Sequence, residues 1–171
     1  DYNGKEPFLI KRNFELIGQE EENFVLKSSK VNGKGMYEAK EYNFKMDDWL
    51  EFLGWYLSEG SIYQKKNGTW WIAITQLKKE NLPKICSLLK RMGLSNYYNQ
   101  HDFIFGSKLI AEHLVKYGRG CLNKRMPEYV KNLSMRQIRI LLNSYFLGDG
   151  GMCLKVKRYS TSSNMLANDI Q

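Results

Sequence analysis

The sequence has few of the residues that build metal-stapled or disulfide-stapled domains. Its 171 residues include three cysteines, three prolines and two histidines. Cys86, Cys121 and Cys153 are scattered and form no CxxC pair, so a zinc site is not expected. We interpret the three cysteines as reduced core residues of an intracellular protein. No apolar run approaches the length of about 18 residues that a membrane-spanning helix needs.

Positive charge is in excess. The chain has 26 lysines and arginines against 18 aspartates and glutamates, a formal net charge of +8. Such a balance favours a nucleic-acid partner or, less often, an anionic membrane surface. A solvated basic surface without a partner is the plainer alternative. The length is sufficient for one domain with a sizeable core.

Two short stretches repeat one helical pattern, and the rest of the chain is organised around them. Residues 50–60 read LEFLGWYLSEG, and residues 140–150 read ILLNSYFLGDG. Each is an apolar helix pattern that ends in a carboxylate followed by a glycine. The two carboxylates, Glu59 and Asp149, are 90 residues apart. If the helices pack side by side, both acids emerge together at the C-terminal ends.

Small residues recur at the same places in both helices. At the 90-residue offset, Gly54 and Ser58 align with Ser144 and Gly148. Residues four apart lie on one face of a helix. Small side chains on that face allow two helices to approach more closely than the usual distance of roughly 8–10 Å. We therefore expect the two helices to pack against each other through these residues.

These stretches resemble the LAGLIDADG homing endonucleases, in particular the intein-borne kind. Two further elements match that family: NKRMP at 123–127 and RYSTSS at 158–163. The resemblance covers roughly residues 46–171, and residues 1–45 match only loosely. It implies an α/β fold, the saddle of αββαββα repeats related by a pseudo-twofold axis between the two motif helices.

The resemblance also implies a division of the chain. Residues 1–45 are a connecting segment of strands and loops, 46–133 the first repeat, and 134–171 a partial second repeat. The partial repeat lacks counterparts of the second hairpin and of the last helix. We therefore expect the chain to be a fragment of the active enzyme. Its partner would be the C-terminal portion of the second repeat or a complementary fragment.

Local patterns predict the elements between the two motif helices. Asn67-Gly68 between two β-rich runs predicts a hairpin over 61–76. Ser134-x-x-Gln137 is a capping-box pattern that predicts the start of the second motif helix. The remaining predictions are a helix over 81–91, a second hairpin over 95–105, a helix over 107–117, a helical turn over 127–133, a strand region over 151–161 and a helix from 164.

The resemblance implies the catalytic residues. Glu59 and Asp149 would be the catalytic pair and the ligands of Mg²⁺, for which Mn²⁺ can substitute. Lys124, in a Lys-x-x-Pro context, would be the catalytic cation, and Arg125 could replace it. The second basic residue of the family would come from beyond Gln171. The plainer alternatives are helix-terminal acids beside glycines, and a surface lysine.

The strands offer a surface for DNA. If Ile62, Ile72 and Ile74 face the core, alternation puts the polar and aromatic side chains on the other face. A two-stranded ribbon fits the major groove, where polar side chains read base edges. Residues 98–101 extend the surface. The candidate DNA-binding residues are Ser61, Tyr63, Lys65, Trp71, Thr75, Gln100, Arg125, Lys155, Lys157 and Arg158.

The function expected from the resemblance is site-specific cleavage of double-stranded DNA by Mg²⁺-dependent phosphodiester hydrolysis, within an intein. A splicing domain is then a further partner. Two alternatives stay open. One is a catalytically degenerate member that binds DNA or RNA without cutting, and the other is a structural insert in an intein.

Overall fold

A computed structural model describes residues 18–28 and 41–171. The apolar run at 8–10 and the turn pattern at 32–35 lie outside the described residues. The described part is a mixed α/β structure with antiparallel sheets and α-helices. None of its helices has both the length and the apolar character needed to cross a bilayer.

The elements follow the order expected from the sequence. A 3₁₀ turn at Lys79–Asn81 precedes α2. The strands and helices are β1 Asn23–Lys27, β2 Glu41–Lys45, α1 Met46–Glu59, β3 Gly60–Gln64, β4 Trp70–Thr75, α2 Leu82–Arg91, β5 Tyr97–Asn99, β6 Asp102–Gly106, α3 Lys108–Val115, α4 Glu128–Lys131, α5 Met135–Asp149, β7 Gly150–Cys153, β8 Val156–Tyr159 and α6 Asn164–Ile170.

Helices α1 and α5 pack directly against each other and form the most extensive contact between any two elements. The small residues make this approach possible. A Cβ added to Gly54 would lie 2.0 Å from Ser144 Oγ and 2.3 Å from the Leu141 carbonyl oxygen. A Cβ added to Gly148 would lie 2.3 Å from Ser58 Oγ. The two small-residue pairs therefore face each other across the crossing, as the sequence predicts.

The hairpin of β3 and β4 forms one side of a four-stranded antiparallel sheet in the order β3-β4-β6-β5. Its turn is the predicted one, with Gly68 at φ +83°. Ile62 pairs with Ile72, and Ile72 pairs with Phe105. These side chains face the helices, where the Phe52 and Phe105 rings lie 5.9 Å apart. The predicted inner face of the hairpin is therefore confirmed.

The second motif helix is followed by a smaller sheet. Strands β7 and β8 pair through a tight turn in which Leu154 and Lys155 have positive φ angles. Tyr159 packs its ring 5.7 Å from the Phe146 ring of α5. Ser163 caps α6 and donates a 2.5 Å hydrogen bond to the Lys124 carbonyl oxygen. The strand region and the last helix predicted from the sequence are both present.

The N-terminal ends of the two central helices are tied together by residues before β1. Ser134 caps α5 by accepting from the Gln137 N–H, as predicted. The reciprocal half of the capping box is absent, because the Gln137 amide instead donates 2.6 Å to the Glu21 carbonyl oxygen. Arg136 pairs with both Glu20 and Asp47. Glu20 and Glu21 therefore tether the segment before β1 to α5.

The cysteine prediction was wrong in one respect. All three cysteines are free thiols, but Cys86 and Cys121 are exposed and Cys153 is half-buried. None of them is a core residue. The core is built instead from aliphatic and aromatic side chains, among them the fully buried Trp49, Trp55 and Phe52.

Candidate active site and nucleic-acid interface

Glu59 and Asp149 are the last residues of α1 and α5, and both lie at the same end of the helix pair. Close packing of the helices brings the two side chains together. The Glu59 Cγ lies only 3.0 Å from the position that a Cβ at Gly148 would occupy. The small residue before Asp149 thus leaves room for the Glu59 side chain.

Both carboxyl groups are half-buried and form no ion pair within the described residues. Burial raises the pKa of Glu59, and the neighbouring Asp149 carboxylate raises it further. Burial likewise raises the pKa of Asp149. The charges of Lys124 and Lys78 oppose both increases. Two close carboxylates disfavour simultaneous ionisation, and a bound cation relieves that cost.

Lys124 lies beneath the pair, with only 4% of its surface exposed. Its ammonium group donates to the carbonyl oxygens of Tyr56, at 2.7 Å, and Leu57, at 3.0 Å. These are carbonyls of the last turn of α1, where the helix dipole favours a cation. Burial lowers the pKa of Lys124 to about 8, although Asp149 and Glu59 oppose this. The alternative of a surface lysine is therefore excluded.

Lys78 binds the end of α5 as Lys124 binds the end of α1. It was not among the site residues predicted from the sequence. Its ammonium group donates to the carbonyl oxygens of Leu147, at 2.9 Å, and Gly148, at 2.7 Å. Asn81 adds a 3.1 Å hydrogen bond to the same Leu147 oxygen. The second cation of the site thus comes from the segment between β4 and α2. The pairing of β3 with β4 explains the position of Lys78. Ile74, four residues before Lys78, pairs with Gly60, which directly follows Glu59.

A cavity of about 250 Å³ opens beside Asp149 and Lys124. The loop that follows β8 forms one wall through Ser160, Thr161 and Ser162. The RYSTSS stretch of the sequence therefore borders the candidate site. Cys121 lines the same cavity, so one of the three thiols lies at the candidate site and not in the core.

The donor set of this site suits a hard divalent cation. No group of three or more His, Cys, Asp and Glu residues able to hold a metal occurs in the described part of the chain. Mg²⁺ needs no such cluster, since it is usually bound by one or two carboxylates together with water and substrate phosphate. Glu59 and Asp149 provide two carboxylates with raised pKa values and no competing ion pair. Two carboxylates of this kind are compatible with the small ligand set that Mg²⁺ takes from a protein.

The outer face of the four-stranded sheet carries the predicted side chains. Ser61 pairs with Ala73, and Tyr63 pairs with Trp71, all on the face away from the helices. Thr75 lies on the same face, where its hydroxyl group donates to Asp102 at 2.6 Å. Five of the candidate DNA-binding residues, Ser61, Tyr63, Lys65, Trp71 and Thr75, thus belong to one surface.

Trp71 is the centre of this surface. The Lys65 ammonium group lies 4.6 Å from its ring centroid. The Tyr97 ring, from β5, meets it edge-on at 6.2 Å. The Trp71 indole N–H is buried and has no hydrogen-bond acceptor among the described residues. Sequence reasoning selected Trp71 but did not find Tyr97, because their contact depends on the pairing of distant strands.

The other candidates are more dispersed. Gln100 is exposed in the turn between β5 and β6, with φ at +53°. Arg125 is exposed in the loop that holds Lys124, and Lys155 lies in the turn between β7 and β8. Arg158 pairs with Gly151 on one face of β8, whereas Lys157 pairs with Met152 on the opposite face.

The Lys157 ammonium group lies 5.0 Å from the Phe146 ring of α5, on the opposite face of β8 from Arg158. One expectation is corrected by these placements. Tyr98 pairs with Phe103 and shares the inner face of the sheet with it. Its ring packs 4.8 Å from that of Phe103, so it does not extend the outer surface as expected. In both cases the alternation of strand side chains decides the face.

No protein-family model matches the chain. It is similar to part of an ATP-dependent Clp protease proteolytic subunit from Chlamydomonas moewusii, with 29% identity over 140 residues. It is equally similar to part of the DNA-directed RNA polymerase subunit Rpo1C from Methanocaldococcus jannaschii, with 29% identity over 152 residues. The matches cover 74% and 82% of this chain but only 14% and 17% of the two relatives.

Proposed function

We propose that this chain is the catalytic part of a LAGLIDADG-type homing endonuclease that cleaves double-stranded DNA at a specific site. The observation that carries the proposal is the site at the end of the central helix pair. Two unpaired carboxylates, Glu59 and Asp149, adjoin two lysines, Lys124 and Lys78, each bound to the last turn of one helix. A basic chain of net charge +8 suits a polyanionic substrate.

Each group has a distinct role in the proposed reaction. Glu59 and Asp149 would hold Mg²⁺, which supplies charge neutralisation at the phosphate and positions water. Lys124 holds a positive charge at a fixed place beneath the carboxylates, where it stabilises negative charge that develops on the phosphate. Lys78 does the same on the α5 side. The outer face around Trp71 would dock on the duplex and set its register.

The architecture we propose is the saddle of that family, with a pseudo-twofold axis between α1 and α5. The matched pairs Gly54–Ser144 and Ser58–Gly148 support this axis. Small parts of a protease subunit and of a polymerase subunit resemble the same chain. An element inserted into unrelated host proteins would produce that pattern, so we include an intein context and a splicing domain in the proposal. A further partner is a segment that covers the exposed side chains of β7 and β8.

One observation favours a second candidate, a binding protein that no longer cuts. Tyr63, Trp71 and Tyr97 form an aromatic group on the outer face of the sheet. Aromatic side chains on a sheet are a stacking platform for unpaired bases, particularly of RNA. Preferential binding to single-stranded RNA without any cleavage would favour this candidate.

Cleavage selection tests the proposal. A circular plasmid library with a randomised insert is incubated with the chain and Mg²⁺ or Mn²⁺, and linearised molecules are sequenced. We expect a defined set of linearised inserts, and none with Glu59→Gln or without divalent cation. Linearisation that persists in both controls would contradict the proposal, as would the absence of any linear product.

A further inference from the structure

Two exposed leucines are each close in sequence to a lysine that binds the end of a central helix. Leu77 is 70% exposed and directly precedes Lys78. Leu122 is 66% exposed and lies two residues before Lys124. Single exposed leucines are ordinary on protein surfaces. Here each of the two lies within two residues of a lysine whose side chain binds the last turn of a central helix.

Leu77 is held outward by a fixed turn. Gln76 is buried, and its side-chain oxygen accepts a 2.8 Å hydrogen bond from the Lys78 N–H. The Gln76 N–H donates 2.7 Å to the His101 carbonyl oxygen. The residues on both sides of Leu77 are thus anchored, Gln76 to the sheet and Lys78 to α5. The leucine cannot turn inward without breaking these contacts.

Leu122 is held outward in the same way by a different loop. Gly118 has φ +99°, and a Cβ there would lie 1.8 Å from the Asn123 carbonyl oxygen. Asn123 closes the loop by donating its side-chain N–H to the Arg119 carbonyl oxygen at 3.0 Å. Lys124 then anchors the loop beneath the carboxylates. The tip of the loop is therefore a rigid apolar projection.

The surroundings of the two leucines are basic. Lys78 and Lys79 adjoin Leu77, while Arg119, Lys124 and Arg125 adjoin Leu122. Apolar tips within a basic rim fit a ligand that is anionic outside and apolar inside. A DNA duplex, with outer phosphates and stacked bases, has that chemistry.

The strand ribbons indicate which groove faces the leucines. Strand β3 begins directly after Glu59, and β7 begins directly after Asp149, so one hairpin starts at each carboxylate. A two-stranded ribbon fits a major groove. If the two hairpins enter successive major grooves, the minor groove between them faces the carboxylates and both leucines.

We propose that Leu77 and Leu122 are apolar wedges that enter the minor groove and unstack base steps of the bound duplex. This inference rests on the proposed nuclease function. Leucine wedges between base steps kink a duplex toward the major groove. A kink of that kind widens the minor groove over Glu59 and Asp149 and improves access of the carboxylates to the two backbones.

The test uses a duplex recovered by the cleavage selection, with 2-aminopurine placed in turn at each central base. Cleavage is blocked by Asp149→Asn, and Leu77→Ala, Leu122→Ala and their combination are compared in that background. Val25→Ala is the matched control, since Val25 is 44% exposed on β1, near the opposite end of the helix pair. Thermal denaturation verifies that each variant is folded.

We expect the Asp149→Asn protein to increase 2-aminopurine fluorescence at one or two central steps. Each leucine substitution should reduce that signal and weaken binding about tenfold, the effect of removing a few buried carbons. Val25→Ala should change neither. A mismatch at the responsive step should restore most of the lost affinity, because an unpaired base is easier to unstack.

Two results would overturn the wedge assignment and leave the nuclease proposal standing. One is a bound, cleavable duplex with no fluorescence change. The other is leucine variants that match the Val25→Ala control on DNA but alter self-association in native mass spectrometry, which would make the leucines a protein contact. If the selection returns no cleaved duplex, both proposals fail.

Discussion

The two central helices share one pattern, but the segments that follow them differ in what they bury. After α1, the hairpin of β3 and β4 joins two more strands, and Ile72 and Ile74 are fully buried. After α5, the described residues form only the two-stranded β7–β8 sheet, in which Met152 is 62% and Val156 is 58% exposed. The carboxylate pair is nevertheless in place, because the helix crossing alone positions it.

The parts of the chain on either side of residue 134 also differ in the cations they supply. Lys124 and Lys78 bind the ends of α1 and α5, yet both belong to residues 46–133. Residues 134–171 contribute one carboxylate and the wall at 160–162. Each central helix therefore supplies one acid of the site, whereas both lysines come from residues 46–133.

Substitutions of the two carboxylates should have the largest effect on cleavage. The effect should be the same for both acids. Glu59→Gln and Asp149→Asn should each abolish cleavage and leave DNA affinity nearly unchanged, because each removes a proposed metal ligand and no phosphate contact. Gel assays of cleavage and binding measure both quantities. Glu112→Gln, on α3, is the control and should behave like the wild type. Cleavage at the wild-type rate by either variant would disprove the metal assignment.

Substitutions of the two lysines should have the next largest effect on cleavage. The effect should differ between the two lysines. Lys124→Met should slow cleavage roughly a hundredfold, as loss of one charge-stabilising donor does. Lys78→Met should slow it less, because Lys78 is exposed and more strongly screened by water. The preferred DNA sequence should stay the same in both. If the preference changes while the rate does not, the lysine is a recognition residue.

The pH profile gives an independent test of Lys124. Its pKa is lowered to about 8, so the charged form is lost as pH rises through that value. The wild-type kcat/KM should therefore fall above about pH 8 if the ammonium charge is required. Lys124→Arg should move this fall to higher pH, since a guanidinium group stays charged. A profile that rises through pH 8 would instead indicate a neutral amine acting as a base.

Alanine substitutions at Gly54 and Gly148 compare the two close contacts between α1 and α5. Gly54→Ala meets the Leu141 backbone oxygen, whereas Gly148→Ala meets only the Ser58 side chain and the Glu59 Cγ. We expect both to destabilise the fold by about 1–3 kcal/mol, with Gly54→Ala the worse. Ser58→Ala should relieve part of the Gly148→Ala defect, whereas Ser144→Ala should leave the backbone clash of Gly54→Ala. Gly151→Ala, which meets nothing within 4 Å, is the control for thermal denaturation.

The smallest effect concerns stability without metal. The pKa of Glu59 is raised in the folded chain, so the ionised group opposes folding once pH exceeds that pKa. Glu59→Gln should therefore raise the metal-free Tm at pH 7, by about 1–3 °C on the usual scaling. The gain should vanish near pH 3, where the carboxyl group is protonated. An unchanged or lower Tm at pH 7 would show that burial and the neighbouring carboxylate do not destabilise the ionised form of Glu59.

Local sequence patterns predicted the elements well. The motif helices, the Asn67-Gly68 hairpin and the helix over 82–91 each depend on residues close in sequence. Patterns that need a distant partner were less reliable. Gln137 bonds to Glu21 in place of completing its capping box, and Tyr98 packs against Phe103 in place of extending the outer surface.

The residues of the candidate site fall into the same two groups, those predicted from local patterns and those that depend on a distant partner. Glu59, Asp149 and Lys124 followed from the repeated motif and its resemblance to a known family. Lys78 and Tyr97 did not, since Lys78 acquires its place when β4 pairs with β3, and Tyr97 when β5 and β4 both pair with β6. No local pattern marks a lysine that will reach the end of a helix about 70 residues away.

The sequence by itself determined where the helices end and which residues are small enough to let them cross, because helix periodicity and residue size are local properties. It thereby placed one carboxylate at each helix end. Only the tertiary structure decided that Lys124 is buried, that Lys78 is its counterpart on α5, and that Leu77 and Leu122 project beside them. These features depend on the hydrogen bonds and strand pairings that form when distant segments meet.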